Sequence, residues 1–473
     1  MAAILSFVAP GAGQAWTGHP VRGLLLLAPL LTLAVASGAI LASQGTARAI
    51  GLALQPQVLL GFVALNLVVG AWRVFATIDA YRLARRRWPS DSGRTGRVVS
   101  VVVLVALVTV ILATHTGLGY VGYQAYDTMT TVFATPQPEP MPTPIATAQP
   151  TSAGLTATPR PPWSPTPAPS VAPRTWYSDG RLDILLMGLD EGPGRYSLRP
   201  DALILLSVDV ATGRAALFGI PRYLQNVPLP PRSVNAFACQ CFPDYLNSLF
   251  RYAEDHPVWF SGPDRERGLR ATEEAVGALV GLELDGRIVI NFSGFMRLID
   301  ALGGLTIYVP EPVYDARYPR PDGTGNMEIS FAAGAQWMDG FHALAYARTR
   351  HQDSDYARIW RQEAVLLALR RQINPCRVIT RLPELLRAAG TAMSTNLPVE
   401  QLPELLELAA RVRADTVARY QFAAPTIPRI LDADAIARVR AMVRDPFPAP
   451  DLPGPRPSGA PTPLPQPTPP SAC

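Results

Sequence analysis

Three long apolar runs in the opening third of the chain, residues 24–42, 58 to about 75 and 98 to about 123, constrain its folding more than any other feature. Each is long enough to cross ~30 Å of hydrocarbon as a helix, where every backbone polar group must be satisfied within the segment. A cleaved signal peptide would not be followed by two further runs of this kind. Between the second and third runs lie Arg82, Arg85, Arg86, Arg87, Arg94 and Arg97, whereas the loop between the first and second carries only Arg48. The positive-inside bias therefore puts residues 82–97 in the cytoplasm, the N-terminus inside and everything after Tyr123 outside. Residues 1–20, with Pro-Gly-Ala-Gly-Gln and Trp16, read as an interfacial or re-entrant opening, and residues 21–126 as three transmembrane helices of a multi-pass protein of the cytoplasmic membrane.

From 135 to 175 the chain turns to Pro, Thr, Ala and Ser, a composition that cannot bury a core. It is expected to stay extended as a semi-rigid extracytoplasmic spacer that lifts the rest of the chain off the bilayer. A second tract of the same kind, 446–473, reads as a disordered tail, which leaves 179–445 as one folded domain. All 42 basic residues are Arg; the absence of Lys excludes a Walker-type phosphate loop and any Schiff-base chemistry. With a net charge of only +5, and so many arginines in one loop, the basic balance speaks for membrane topology and against nucleic acid. The five histidines make no metal-binding pattern, and Cys239-x-Cys241 has no partner pair at zinc spacing. In an extracytoplasmic domain a disulfide from Cys239 or Cys241 to Cys376 is compatible with the sequence, but spacing does not decide the pairing of these and Cys473.

Within the domain, apolar runs at 182–189, 202–208 and 215–220, with a turn at Ala211-Thr-Gly213, read as an antiparallel meander. The end of the first strand, the start of the second and the end of the third then share one edge, which gathers Asp190, Arg199, Asp201 and Arg222. Farther on, Asp339 is placed to cap a helix that delivers Arg348 and Arg350, and a second helix starts at Asp355. On it Asp355, Arg358 and Gln362 fall at i, i+3 and i+7, on one face. Forked guanidiniums beside carboxylates suit a phosphate or pyrophosphate and its metal. Taken singly, each aspartate reads as a turn cap and each arginine as a surface charge; separate segments converging on one edge favour a site. Helices and strands alternate throughout 179–445, which implies an α/β fold with a mixed central sheet and helices on both faces.

These residues resemble the LytR-CpsA-Psr family of bacterial cell envelopes over about 182–425. The resemblance is carried by Asp183-Ile-Leu-Leu-Met-Gly-Leu-Asp190, Arg199-Pro-Asp201, Gly219-Ile-Pro-Arg222, Asp300-Ala-Leu-Gly-Gly304, Leu344-Ala-Tyr-Ala-Arg-Thr-Arg350 and Asp355-Tyr-Ala-Arg358-Ile-Trp-Arg361-Gln362, in the family's order. It implies a phosphotransferase that moves a glycopolymer from a polyprenyl-pyrophosphate carrier onto peptidoglycan as a phosphodiester, with Mg2+. By the same resemblance Asp190 and Asp201 hold the metal, while Arg199, Arg222, Arg348, Arg350 and Arg358 bind the pyrophosphate with Asp355 and Gln362 orienting them. Asp190, Asp201, Arg199, Arg222 and Arg348 form the implied catalytic set, Asp201 taking the acceptor's proton, and the lipid lies in an apolar groove between sheet and helices. The chain departs from the family in Pro200, where Ser is common, in Tyr223, where Asp is common, in the segment 239–263, and in having three spans where one is usual. A non-catalytic module that binds polyprenyl-linked glycan or senses the wall, and a pyrophosphate hydrolase, are the alternatives.

Overall fold

The computed structural model describes residues 1–88, 94–133, 179–190, 199–320, 324–349, 355–373, 378 and 380–447. The N-terminal unit is helical: α1 (Ala2–Val8), α2 (Ala12–Trp16), α3 (Pro20–Gln44), α4 (Thr46–Ala53), α5 (Pro56–Arg87) and α6 (Arg94–Val132). Helices α3, α5 and α6 are long and apolar enough to cross a membrane. Leu24, Leu25 and Val35 on α3 and Val99 and Val102 on α6 are exposed, as lipid-facing side chains must be. The opening segment α1–α2 is built into the bundle. Gln14, fully buried, donates to the Ala76 carbonyl at 2.8 Å and to Asp79 at 3.1 Å, and accepts from Ser6 at 2.7 Å. Gly11, at φ 100°, lets that hairpin meet α3, because a Cβ there would lie 2.0 Å from the Gly23 carbonyl oxygen. Where α5 crosses α6, Asn66 Nδ2 donates to the His115 carbonyl at 2.7 Å while its Oδ1 lies 2.8 Å from His115 Nδ1. Gly70 beneath the imidazole makes that close crossing feasible.

The domain contains β1 (Arg181–Leu189), β2 (Pro200–Asp209), β3 (Ala215–Gly219), β4 (Val227–Pro228), β5 (Cys241–Phe242), α7 (Leu249–Asp255), α8 (Asp264–Val280), β6 (Gly286–Asn291), α9 (Phe292–Ala301) and β7 (Leu305–Val309). Next come β8 (Val313–Pro319), β9 (Asn326–Phe331), β10 (Gly334–Met338), α10 (Gly340–Arg348), α11 (Asp355–Gln372), α12 (Leu382–Ala392), β11 (Met393–Thr395), α13 (Leu402–Arg411), β12 (Ala418–Gln421) and α14 (Ala433–Arg444). The main sheet has the order β11-β6-β1-β2-β3-β12 and is mixed: β1, β2 and β3 form the antiparallel meander, β6 runs parallel to β1, and β12 runs parallel to β3.

Alternation along the strands sorts two faces. Leu185, Met187, Leu203, Leu205 and Phe218 are fully buried beneath α7, α8 and α14. Leu182, Ile184 and Val208 face the other way and meet Leu408 of α13, but Leu186, Leu206 and Ile288 on that face are only half-buried. A second core joins α9, α10 and α11 to the β7–β10 and β8–β9 ladders. Helix α11 lies flush on β3, because a Cβ on Gly219 would sit 2.1 Å from Ile359 Cγ2.

Two features differ from the sequence reading. The cysteine bridge joins Cys239 to Cys241, with Cα atoms 5.1 Å apart across Gln240 at φ 56°; Cys376 lies outside the described residues. The domain also rests on the membrane helices: α13 packs on α4 and α12 on α6, at the bundle end opposite the arginine-rich end of α5. The sequence reading instead has a spacer holding it away; the spacer, like the tail, lies almost wholly outside the described residues.

Candidate active site

The strand order brings the predicted charges together. Asp190 follows β1, Arg199 and Asp201 flank the start of β2, and Arg222 follows β3, all at one sheet edge. Asp339 caps α10 by accepting from His342 N at 2.8 Å, and this helix ends by placing Arg348 at the same edge. Helix α11 adds Arg358 and Gln362. These seven residues line one cavity of about 330 Å³. Arg350 lies outside the described residues, and Asp355 is described only as the first residue of α11. Asp300 stays out of the cavity and accepts from Gly340 N at 2.7 Å, holding α10 to α9.

Arg222 donates to Asp201 across the β2 and β3 ends. Arg348 is held more loosely: its Nη2 is 3.7 Å from Asp190 Oδ2, its Nη1 3.4 Å from the Tyr318 hydroxyl, and its guanidinium stacks 4.2 Å over Phe292. Such stacking fixes the plane of the guanidinium and leaves its edge for an anion. Arg358 is buried, 4% exposed, with its head in the cavity wall. Gln362 Nε2 donates weakly to the Ala347 carbonyl at 3.4 Å, and its buried Oε1 has no hydrogen-bond partner among the described residues. Arg361 turns away and donates to the Thr349 carbonyl. Tyr223, the departure from the family pattern, packs edge-on against Tyr356 and does not line the cavity.

Sequence reasoning missed the rest of the lining: Asn247, whose N donates to the Arg222 carbonyl, Phe292, Asp315, Tyr318 and Thr349. Asp315 accepts from Thr349 Oγ1 at 2.6 Å and from Arg317 N at 2.9 Å. With it the lining carries four guanidiniums and three carboxylates. A larger hollow of about 1060 Å³ runs along α8, but there Arg287 pairs with Glu266 and Glu273, and Arg232 with Glu274.

Beneath the site, fully buried Glu363 accepts from Arg419 Nε at 2.8 Å, and burial pushes its carboxyl up to about 7 despite that guanidinium. A native acid that holds its proton above the unfolded value of about 4.5 stabilises the fold below that value. The contribution is lost as pH rises toward 7. The thermal midpoint of the wild type is therefore expected to fall by several degrees between pH 5 and 8, and that of Glu363→Gln to stay flat. Parallel curves for the two proteins would contradict this.

A mixed α/β domain with a guanidinium-lined cavity at the strand ends, seated on membrane-spanning helices, defines the class: a membrane protein whose site suits a polyanionic group. Residues 164–433, more than half of the chain, match the LytR_cpsA_psr family, and the chain belongs to that family. It is 29% identical over 227 residues to the polyisoprenyl-teichoic acid–peptidoglycan teichoic acid transferase TagU of Oceanobacillus iheyensis, covering 48% of this chain and 62% of that protein. It is 26% identical over 238 residues to an uncharacterized protein of Staphylococcus aureus, covering 48% and 51%. The chain thus spans less than two thirds of the length of either relative. Among solved structures it is similar to B. subtilis TagV, with 21% identity, a TM-score of 0.41, and coverage of 55% of this chain and 95% of that one.

Proposed function

We propose that the protein transfers a glycopolymer from a polyprenyl-pyrophosphate carrier to peptidoglycan as a phosphodiester. The observation that carries this reading is the single cavity in which Arg199, Arg222, Arg348 and Arg358 converge beside Asp190 and Asp201, in a chain of this family. Phosphoryl transfer needs charge neutralisation and in-line positioning more than a covalent nucleophile, and four guanidiniums supply both to a pyrophosphate. The acceptor hydroxyl attacks the glycan-side phosphorus; a P–O bond forms, the bond to polyprenyl phosphate breaks, and the acceptor's proton goes to Asp201, oriented by Arg222. The half-buried apolar positions Leu186, Leu206 and Ile288, on the sheet face under α13, suit the isoprenoid chain.

Among the described residues no three His, Cys, Asp or Glu gather as an all-protein metal cage. Mg2+ does not require one, since it takes one or two carboxylates and completes its shell with phosphate oxygens and water. Asp190 and Asp201 fit that donor set and would hold it. When bound, the ion supplies further neutralisation of the pyrophosphate.

The test gives the full chain a short-chain polyprenyl-pyrophosphoryl saccharide and Mg2+, with and without a peptidoglycan oligomer, and follows polyprenyl monophosphate by mass spectrometry. Acceptor-dependent release that Asp201→Ala abolishes is the expected result. Release without acceptor would make the protein a pyrophosphate hydrolase, and binding without release would make it a lipid-glycan binding module.

A further inference from the structure

The domain meets the membrane unit at two separate places. At the first, Arg48 of α4 reaches Glu404 at 3.2 Å and Glu407 at 3.4 Å on α13, and Gln55 Nε2 donates to the Val399 carbonyl at 2.8 Å. Between these contacts Gly51 lies so close to Pro403 that a Cβ would stand 2.4 Å from its Cα. At the second, Leu386 of α12 packs with Leu59, Ala125 and Met129, and Thr128 Oγ1 donates to the Leu386 carbonyl at 3.1 Å. One contact would leave the domain free to pivot. Two fix its height and its rotation.

Both contacts lead to the cavity. Helix α12 packs on α9, whose first residue, Phe292, stacks under Arg348. Helix α13 turns Leu405 and Leu408 to the half-buried sheet face, and Leu402, Pro403, Glu404 and Glu407 to the membrane unit. It is thus the layer between that apolar face and α4. The orientation comes from the seat.

We infer that the membrane unit is a docking platform for the domain, turning its apolar face, with α13 over it, toward the membrane helices so that an isoprenoid chain leaving the bilayer has a short path to the cavity. The inference rests on the transferase reading for its substrate. The seat itself stands on the contacts alone. The platform then governs use of membrane-embedded donors and leaves short, water-soluble donors untouched.

The test uses the full chain in lipid vesicles, with Cys376→Ser and Cys473→Ser removing the two cysteines outside the Cys239–Cys241 bridge. An ideal Cβ at Gly390 lies 3.7 Å from Thr128 Cα, so Thr128→Cys with Gly390→Cys is expected to close a disulfide on mild oxidation. Thr128→Cys with exposed Arg438→Cys is the control that stays open. Absence of the first cross-link, or equal yield from both pairs, overturns the seat. In turnover, Gly51→Leu and Arg48→Glu are expected to lower use of a long-chain vesicle-embedded donor about tenfold while leaving a short-chain donor unchanged. Adding Glu404→Arg and Glu407→Arg to Arg48→Glu is expected to restore it. Equal loss with both donors, or no loss with either, overturns the platform's role. A wild type that turns over neither donor defeats the transferase reading instead, and the cross-link still decides the seat.

Discussion

Arg348→Ala is expected to cut acceptor-dependent release of polyprenyl monophosphate about a hundred- to a thousandfold, the loss usual for removing one preorganised donor from a charge-stabilising site. Arg348 is singled out by its contacts. Arg222 is committed to Asp201, whereas Arg348 sits 3.7 Å from Asp190 and is held chiefly by the face of Phe292. Its hydrogen-bonding edge therefore has capacity for a phosphate oxygen. Loss of the guanidinium also leaves Asp190 facing the pyrophosphate with less positive charge, so donor binding weakens together with turnover. Arg348→Lys keeps the charge but loses the fork and much of the stacking, and is expected to recover only part of the rate. Wild-type turnover in the alanine variant would remove Arg348 from the machinery. Single-turnover measurements at saturating donor separate the rate from the binding.

Arg287→Met is expected to destabilise the domain by about 3–5 kcal/mol, the range for breaking a buried ion pair from one side. Arg287 lies in β6 with a side chain only 4% exposed, and its two ends hold Glu273 and Glu266. Its backbone is tied to Asn396 at 2.7 Å and Thr395 at 2.6 Å, so the edge strand β11 depends on the same residue. Removing the guanidinium leaves two carboxylates together in a low-dielectric pocket. Adding Glu266→Gln and Glu273→Gln is expected to return much of the loss, because the repulsion and the desolvated charges go with them. Urea unfolding of the full chain, followed by tryptophan fluorescence, measures both. A single variant as stable as the wild type would mean that solvent reaches the pair.

Apolar runs bounded by turn residues made β1, β2 and β3 legible, and the meander they form was enough to gather Asp190, Arg199, Asp201 and Arg222. The Asp339 cap and the polar face of α11 located Arg348, Arg358 and Gln362 in the same way. The far wall was not legible. Strand β8 alternates buried with exposed positions irregularly, because the β8–β9 ladder carries a register shift between Asp315 and Tyr318. No clean period of two marks it, so nothing in the sequence singles out Asp315 or Tyr318. The apolar spacing of 399–413 is that of an amphipathic helix, but a helix covered on two sides looks in sequence much like one covered on one side. The layer on its second side is a property of the assembled chain.

Gly219 limits how far this cavity can be adapted. With no side chain between β3 and Ile359, the strand that carries Arg222 and the helix that carries Arg358 and Gln362 touch backbone to side chain, and their separation is set by that contact. Half of the cavity is therefore a gauge of fixed width, suited to a group that is the same in every donor. The irregular β8 wall, with Asp315, Tyr318 and Pro319, lies outside that gauge: substitutions there change the cavity's shape without moving Arg222 or Arg358, and of the arginines reach Arg348, which Tyr318 touches.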